Sequence, residues 1–192
     1  MGKMDVPIVS FLSADEFEKW LQARHASSDG VWLKLAKKGA STMSISYAEA
    51  LDVALCYGWI DGQKDRVDDQ HWLQRFTPRR AKSRWSKINR DKALVLIDQG
   101  RMQPAGLREV ERAKADGRWD AAYEGQRAAT IPDDLQMALD KNKKAREFFA
   151  TLDSRNRYAI LYRVQDAKRA ETRARRIDTF VEMLSQHMTI YP

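Results

Sequence analysis

Trp59-Ile60-Asp61-Gly62-Gln63-Lys64-Asp65-Arg66-Val67, then Asp68-Asp69-Gln70, then His71-Trp72-Leu73-Gln74-Arg75-Phe76-Thr77: this stretch predicts two strands joined by a turn at Asp68-Asp69, and it decides the fold. In the second strand Trp72 and Phe76 share one face, while His71, Leu73, Arg75 and Thr77 share the other. Pro78 closes the run, because it has no N–H for a ladder and holds Thr77 out of helical geometry. Upstream, Val31, Leu33 and Leu35 alternate with Trp32 and Lys34, which predicts a third strand. After Pro78 the chain looks helical, apart from residues 117–131. The fold class expected is α+β: a small antiparallel sheet with helices in the N-terminal part and an all-helical C-terminal part.

The helix signals are local. Ser13-Ala14-Asp15-Glu16 and Ser46-Tyr47-Ala48-Glu49 are capping boxes, in which a hydroxyl and a carboxylate satisfy orphan backbone N–H groups. The first opens a helix over 14–25. The second opens one whose buried stripe is Leu51, Ala54 and Leu55, with Gly58 at C′. Trp85, Ile88, Lys92, Val95 and Leu96 predict one face of a helix ended by Gly100, and Pro104 suits the first turn of the next. Residues 117–131 have no clear period and read as a linker or arm. Pro132 opens a helical tail, with Asn142 and Ser154 as N-caps and apolar faces from Phe148, Phe149, Leu152, Tyr158, Leu161, Val164, Ile177, Phe180, Val181 and Leu184. The expected organisation is therefore 1–116, 117–131 and 132–192.

Bulk properties exclude several classes. The chain has 192 residues, 43% hydrophobic and 32% charged, enough to bury a core and too apolar for disorder. No window approaches 18 apolar residues, so no membrane insertion is expected. Met1 to Phe11 has no export-signal pattern, and Cys56 is the lone cysteine; both suit a cytoplasmic protein. His25, His71 and His187 are far apart, so no metal site is expected. No phosphate loop, dinucleotide fingerprint or nucleophile elbow occurs, and no cofactor is expected.

Charge points to a site. Residues 70–90 hold seven basic side chains and no acidic one, and residues 141–176 carry +8, which leaves −8 for the rest of a chain of net charge +7. Two basic faces on an acidic body fit an anionic partner. Planar guanidinium groups beside aromatic faces bind phosphate or carboxylate. The candidate ligand-binding residues are thus Trp59, Asp61, Arg75, Thr77, Arg79, Arg80, Arg84, Trp85, Ser86 and Asn89. The alternative is that Arg75 pairs with Asp61 across the hairpin and the tryptophans are core. In the tail, Lys168, Arg169, Arg173 and Arg176 form a basic ridge that could dock a partner, or else a solvated helix face.

Two groups of motifs resemble the bacterial YdeI/OmpD-associated family, also labelled bacteriocin-protection proteins. The first comprises Ala54–Gly62, Leu73–Arg80, Arg84–Asn89 and Gly100–Gly106; the second comprises Ala145–Phe149 with Ala167–Ile177. The family's name comes from association with peptide resistance and an outer-membrane porin, and the resemblance implies no reaction. The function expected is a non-enzymatic binding protein for an anionic partner, either a small phosphorylated or carboxylated ligand or a nucleic acid, with a role in envelope-stress or antimicrobial-peptide tolerance. The alternative is an enzyme acting on a small anionic substrate with Asp61 as general base.

Overall fold

The computed structural model describes residues 6–125 and 129–192, and the chain divides into two units, 1–122 and 123–192. The sheet of the first unit has strands β1 (Ile8–Val9), β2 (Val31–Ala36), β3 (Trp59–Arg66) and β4 (His71–Pro78) in the order β1-β2-β4-β3. The hairpin forms as the alternation predicts, with β3 antiparallel to β4 and β4 antiparallel to β2. The sheet is mixed rather than purely antiparallel, because β1 pairs parallel to β2. Two residues are too few for an alternation to register, so β1 left no trace in the pattern. The β3/β4 register shifts between Asp61 and Lys64. At that bulge the fully buried Gln74 amide donates to the carbonyls of Gly62 (3.0 Å), Gln63 (3.3 Å) and Arg75 (3.1 Å). A side chain therefore supplies the donors that the interrupted ladder lacks.

Helices α1 (Ala14–Arg24) and α2 (Tyr47–Cys56) contribute Phe17, Leu21, Leu51, Ala54 and Leu55 to one core with Val31, Leu33, Leu35, Trp59 and Phe76. Each large side chain fully buried there contributes roughly 1.5–3 kcal/mol relative to exposure. Ser46 and Glu49 form the predicted reciprocal cap. At α1, Ser13 accepts from the Glu16 N–H, but Glu16 reaches one residue further back, to the Leu12 N–H at 2.8 Å. Gly58 ends α2 at φ +73°, where a Cβ would lie 2.9 Å from the Ala105 carbonyl oxygen.

Helices α3 (Lys87–Asp98) and α4 (Pro104–Ala115) follow. The buried face of α3 is Asn89, Ala93 and Leu96. The predicted face is rotated from this: Ile88 and Val95 are 57% and 55% exposed, and Trp85 precedes the N-cap Ser86. The cause is tertiary: α3 turns its small Ala93 inward and is tied to α2 by a Lys92–Asp52 ion pair of 2.6 Å. On α4, Gly106 lets the backbones touch, since a Cβ there would lie 2.3 Å from the Cys56 carbonyl oxygen and 2.8 Å from that of Leu55. Trp119 and Ala122 are buried in this same core, so residues 117–122 pack with the first unit. Residues 126–128 of the 117–131 segment lie outside the described residues.

The second unit consists of α5 (Asp133–Asp140), α6 (Lys143–Thr151), α7 (Ser154–Asp166) and α8 (Ala170–Ser185). Leu135, Leu139, Phe149, Ile160, Leu161, Val164, Ile177, Phe180 and Leu184 form its core. Asn142 caps α6 as predicted. Asp153 rather than Ser154 caps α7, its carboxylate accepting from the Asn156 N–H at 2.7 Å. A carboxylate one residue earlier takes the N-cap position, and Ser154 becomes the first helical residue.

Candidate anion-contacting site

Between β4 and α3 the chain makes a short basic loop, and its supports lie beneath it. The Arg79 side chain is buried, with its guanidinium 3.5 Å from the Trp85 ring centre, and it donates to the Arg84 carbonyl at 3.1 Å. Its backbone N–H donates to the Gly58 carbonyl at 3.0 Å. Trp85 packs edge-on to Trp119 at 4.9 Å. The Ser83 hydroxyl accepts from the Arg80 N–H, and the Ser83 carbonyl accepts from Arg118. A buried cation–π contact contributes about 2 kcal/mol, so Arg79 is the post that fixes the loop. Arg80 and Lys82 are exposed above it, and among the described residues neither side chain is engaged by a carboxylate.

Asp61 sits on the helix-covered face of the sheet, in register with Phe76. It is half-buried and accepts from the Tyr47 hydroxyl at 2.8 Å and the Asn89 amide at 3.5 Å. Burial, with the Asp61 charge and hydrogen bond added, pushes the Tyr47 phenol well above its usual range, so Tyr47 stays a donor. Asn89 is in turn held by the Ser86 cap through its own N–H, at 3.1 Å. Lys64 lies 5.3 Å from the Tyr47 ring and 5.0 Å from the Trp72 ring. Asp61, Asn89, Ser86, Trp85, Arg84 and Arg79 thus form one continuous chain of contacts, with Arg80 at its outer end.

Arg75 and Thr77 point the other way. Period two puts them on the face opposite Phe76, so the Arg75–Asp61 pair does not form. The Arg75 guanidinium instead lies 6.0 Å from Trp32, with Gln63 Oε1 at 3.5 Å. Trp59 is a core residue whose indole donates to the His25 carbonyl at 3.2 Å. At the start of α8 the tail's basic ridge splits, two of its members preceding the helix. Lys168 and Arg169 are exposed, whereas Arg173 forks onto both Asp134 oxygens and also donates to the Val164 carbonyl, and Arg176 donates to the Arg163 carbonyl with Asp166 at 3.5 Å.

Sequence patterns missed Tyr47, Lys64, Gln74 and Arg118; Ser83 and Ser86 both stood near the expected helix start, and Ser86 is the one that caps α3. Only Gln74 had a local signal, since alternation places it between Trp72 and Phe76 on the core face. Burial pushes the Cys56 thiol up to about 11, so at neutral pH it is a core thiol and not a nucleophile. Among the described residues no three His, Cys, Asp or Glu side chains gather as metal ligands. No described helix is long and apolar enough to cross a membrane.

Two family models match the chain. One, a domain of unknown function (DUF8412), covers residues 9–109, and the other, described as Bacteriocin-protection, YdeI or OmpD-Associated, covers residues 128–187. No curated protein and no solved structure matches.

Proposed function

We propose, for a chain that belongs to the DUF8412 family through residues 9–109 and carries a YdeI/OmpD-associated domain over residues 128–187, a non-enzymatic role as a binding protein for an anionic partner. The observation that carries this reading is the basic loop, held in place by the buried Arg79–Trp85 stack while Arg80 and Lys82 face solvent. Loops rich in long cations ordinarily lose conformational entropy on binding; one fixed in advance loses less. Asp61 supports the binding reading over the enzymatic one, since both its oxygens accept hydrogen bonds from side chains on α2 and α3. The net charge of +7 opposes direct capture of a cationic peptide. A part in peptide tolerance would then run through an anionic partner, and a phosphate polymer in the cytoplasm is the first to test.

Fluorescence anisotropy with labelled single- and double-stranded oligonucleotides at about 50 mM salt tests it, a regime of weak screening. Binding should weaken with salt at a log–log slope of roughly −0.7 to −0.9 per phosphate neutralised. Replacing Arg80 and Lys82 together by Ala should reduce that slope by about 1–2. No binding at micromolar protein would remove nucleic acid. A slope unchanged in the double variant would remove this loop.

A further inference from the structure

The helical unit contains a cleft that the basic loop does not involve. Its volume is about 340 Å³, and its lining is Arg155, Tyr158, Ala159, Tyr162, Arg163 and Tyr191. That is at the small end of ligand sites, which run from about 300 to 1,000 Å³. Five of the six come from α7 at spacings of 3, 1, 3 and 1, so they share one face of the helix. The sixth, Tyr191, is brought in by a two-point clamp: the buried Asn156 side chain donates to the Tyr191 carbonyl at 3.2 Å and accepts from its N–H at 2.9 Å.

The chemistry of the lining is selective. Three phenol rings meet two guanidinium groups, and among the described residues no carboxylate lines the cleft. Arg155 lies 4.2 Å and Arg163 5.7 Å from the centre of the Tyr191 ring. Tyr158 and Tyr162 are tilted at 45° with centres 5.9 Å apart, and Tyr123 braces Tyr162 edge-on at 5.4 Å. The inner Nη1 of Arg163 is buried with no hydrogen-bond partner among the described residues. That nitrogen is closed to solvent, so an anion in the cleft would be met by the remaining guanidinium N–H groups of Arg163. An aromatic cage alone would suit a cation, but two fixed positive charges reverse that preference.

We propose that this cleft binds a small planar aromatic anion, a ring bearing a carboxylate or a phosphate. The ring lies among Tyr158, Tyr162 and Tyr191, and the anion takes paired N–H bonds from Arg155 and Arg163. Inorganic phosphate alone would leave the rings unused, and a neutral ring would leave the guanidinium groups unused.

Calorimetric titration of the full chain with adenosine monophosphate and with salicylate tests the proposal, with adenosine, benzyl alcohol and inorganic phosphate as controls. At least one of the two aromatic anions should bind with Kd below about 1 mM and at least about tenfold more tightly than its controls. That pair of probes also separates a phosphate from a carboxylate source. Arg155→Ala, at an exposed position, should weaken binding about tenfold or more while circular dichroism stays native, and Tyr191→Ala should weaken it as well. Arg80→Ala with Lys82→Ala should leave it unchanged, which keeps this site distinct from the loop on the other unit. The proposal is overturned if neither anion binds, if inorganic phosphate binds as tightly as the nucleotide and no salicylate binds, or if Arg155→Ala has no effect.

Discussion

Gly106→Ala should destabilise the first unit, although the same change in most helices does the reverse. In an open helix interior Ala gains about 1 kcal/mol over Gly. At this position the new Cβ would stand 2.3 Å from the Cys56 carbonyl oxygen and 2.8 Å from that of Leu55, where ordinary contacts begin at 3.4 Å. Both neighbours are backbone at the end of α2 and cannot swing aside, so α4 must move off by about 1 Å. Overpacking of this kind costs about 1–3 kcal/mol. The displacement also stretches the 3.0 Å bond from the Gln103 N–H to the Cys56 carbonyl, worth about 1 kcal/mol. Steric cost outweighs propensity, and a net loss of about 1–3 kcal/mol follows. All six tryptophans (Trp20, Trp32, Trp59, Trp72, Trp85 and Trp119) lie in residues 1–122, so indole fluorescence reports on this unit alone. With a urea dependence of about 1–3 kcal/mol per molar, the midpoint should drop by about 1 M. A midpoint that stays or rises would show that α4 does not rest on those carbonyls.

Two further outcomes follow from titrating groups. Hydrogen bonding from Arg173 holds the Asp134 carboxyl below its ordinary 3.8, so the pair's stabilisation is complete above that pH and is lost as pH falls from 3.8 towards the lower folded value. Asp134→Asn should therefore lower the stability of the helical unit at pH 7 by on the order of 1 kcal/mol, with a difference from the parent that shrinks in acid melts; an equal difference at pH 7 and pH 2 would refute the pairing. The Cys56 thiol, raised by burial from 9.0 to about 11, contributes stability that is complete below pH 9 and lost as pH rises through 11. A thiol reagent at pH 8 should modify Cys56 only at the rate of unfolding, and fast stoichiometric labelling of the folded chain would show the core to be open there.

Features written in short stretches of sequence were legible. The hairpin, the Ser46 cap and the proline entry to α4 each depend on neighbours a few residues apart. Features set by distant contacts were not. The face of α3 depends on Asp52 reaching Lys92 across 40 residues, and hydropathy alone favoured Ile88 and Val95. The cationic run could be counted, but not sorted. Arg79 is a buried post, Arg75 faces Trp32 across the sheet, and only tertiary structure separates these from the exposed Arg80 and Lys82. The tail's basic ridge divides in the same way, because Asp134 lies 39 residues from Arg173.

The strands at the two margins of the sheet leave a visiting chain little to pair with. β3 ends the sheet on one side with the irregular register at Asp61/Lys64 and the charged run Lys64-Asp65-Arg66, and β1 ends it on the other with two residues. Charge, a bulge and brevity are the means by which proteins blunt such margins against edge-to-edge aggregation. Recognition by donating a strand to this sheet is correspondingly disfavoured. Whatever this chain holds, it should hold through side chains, and a peptide chosen for its backbone alone should find no purchase.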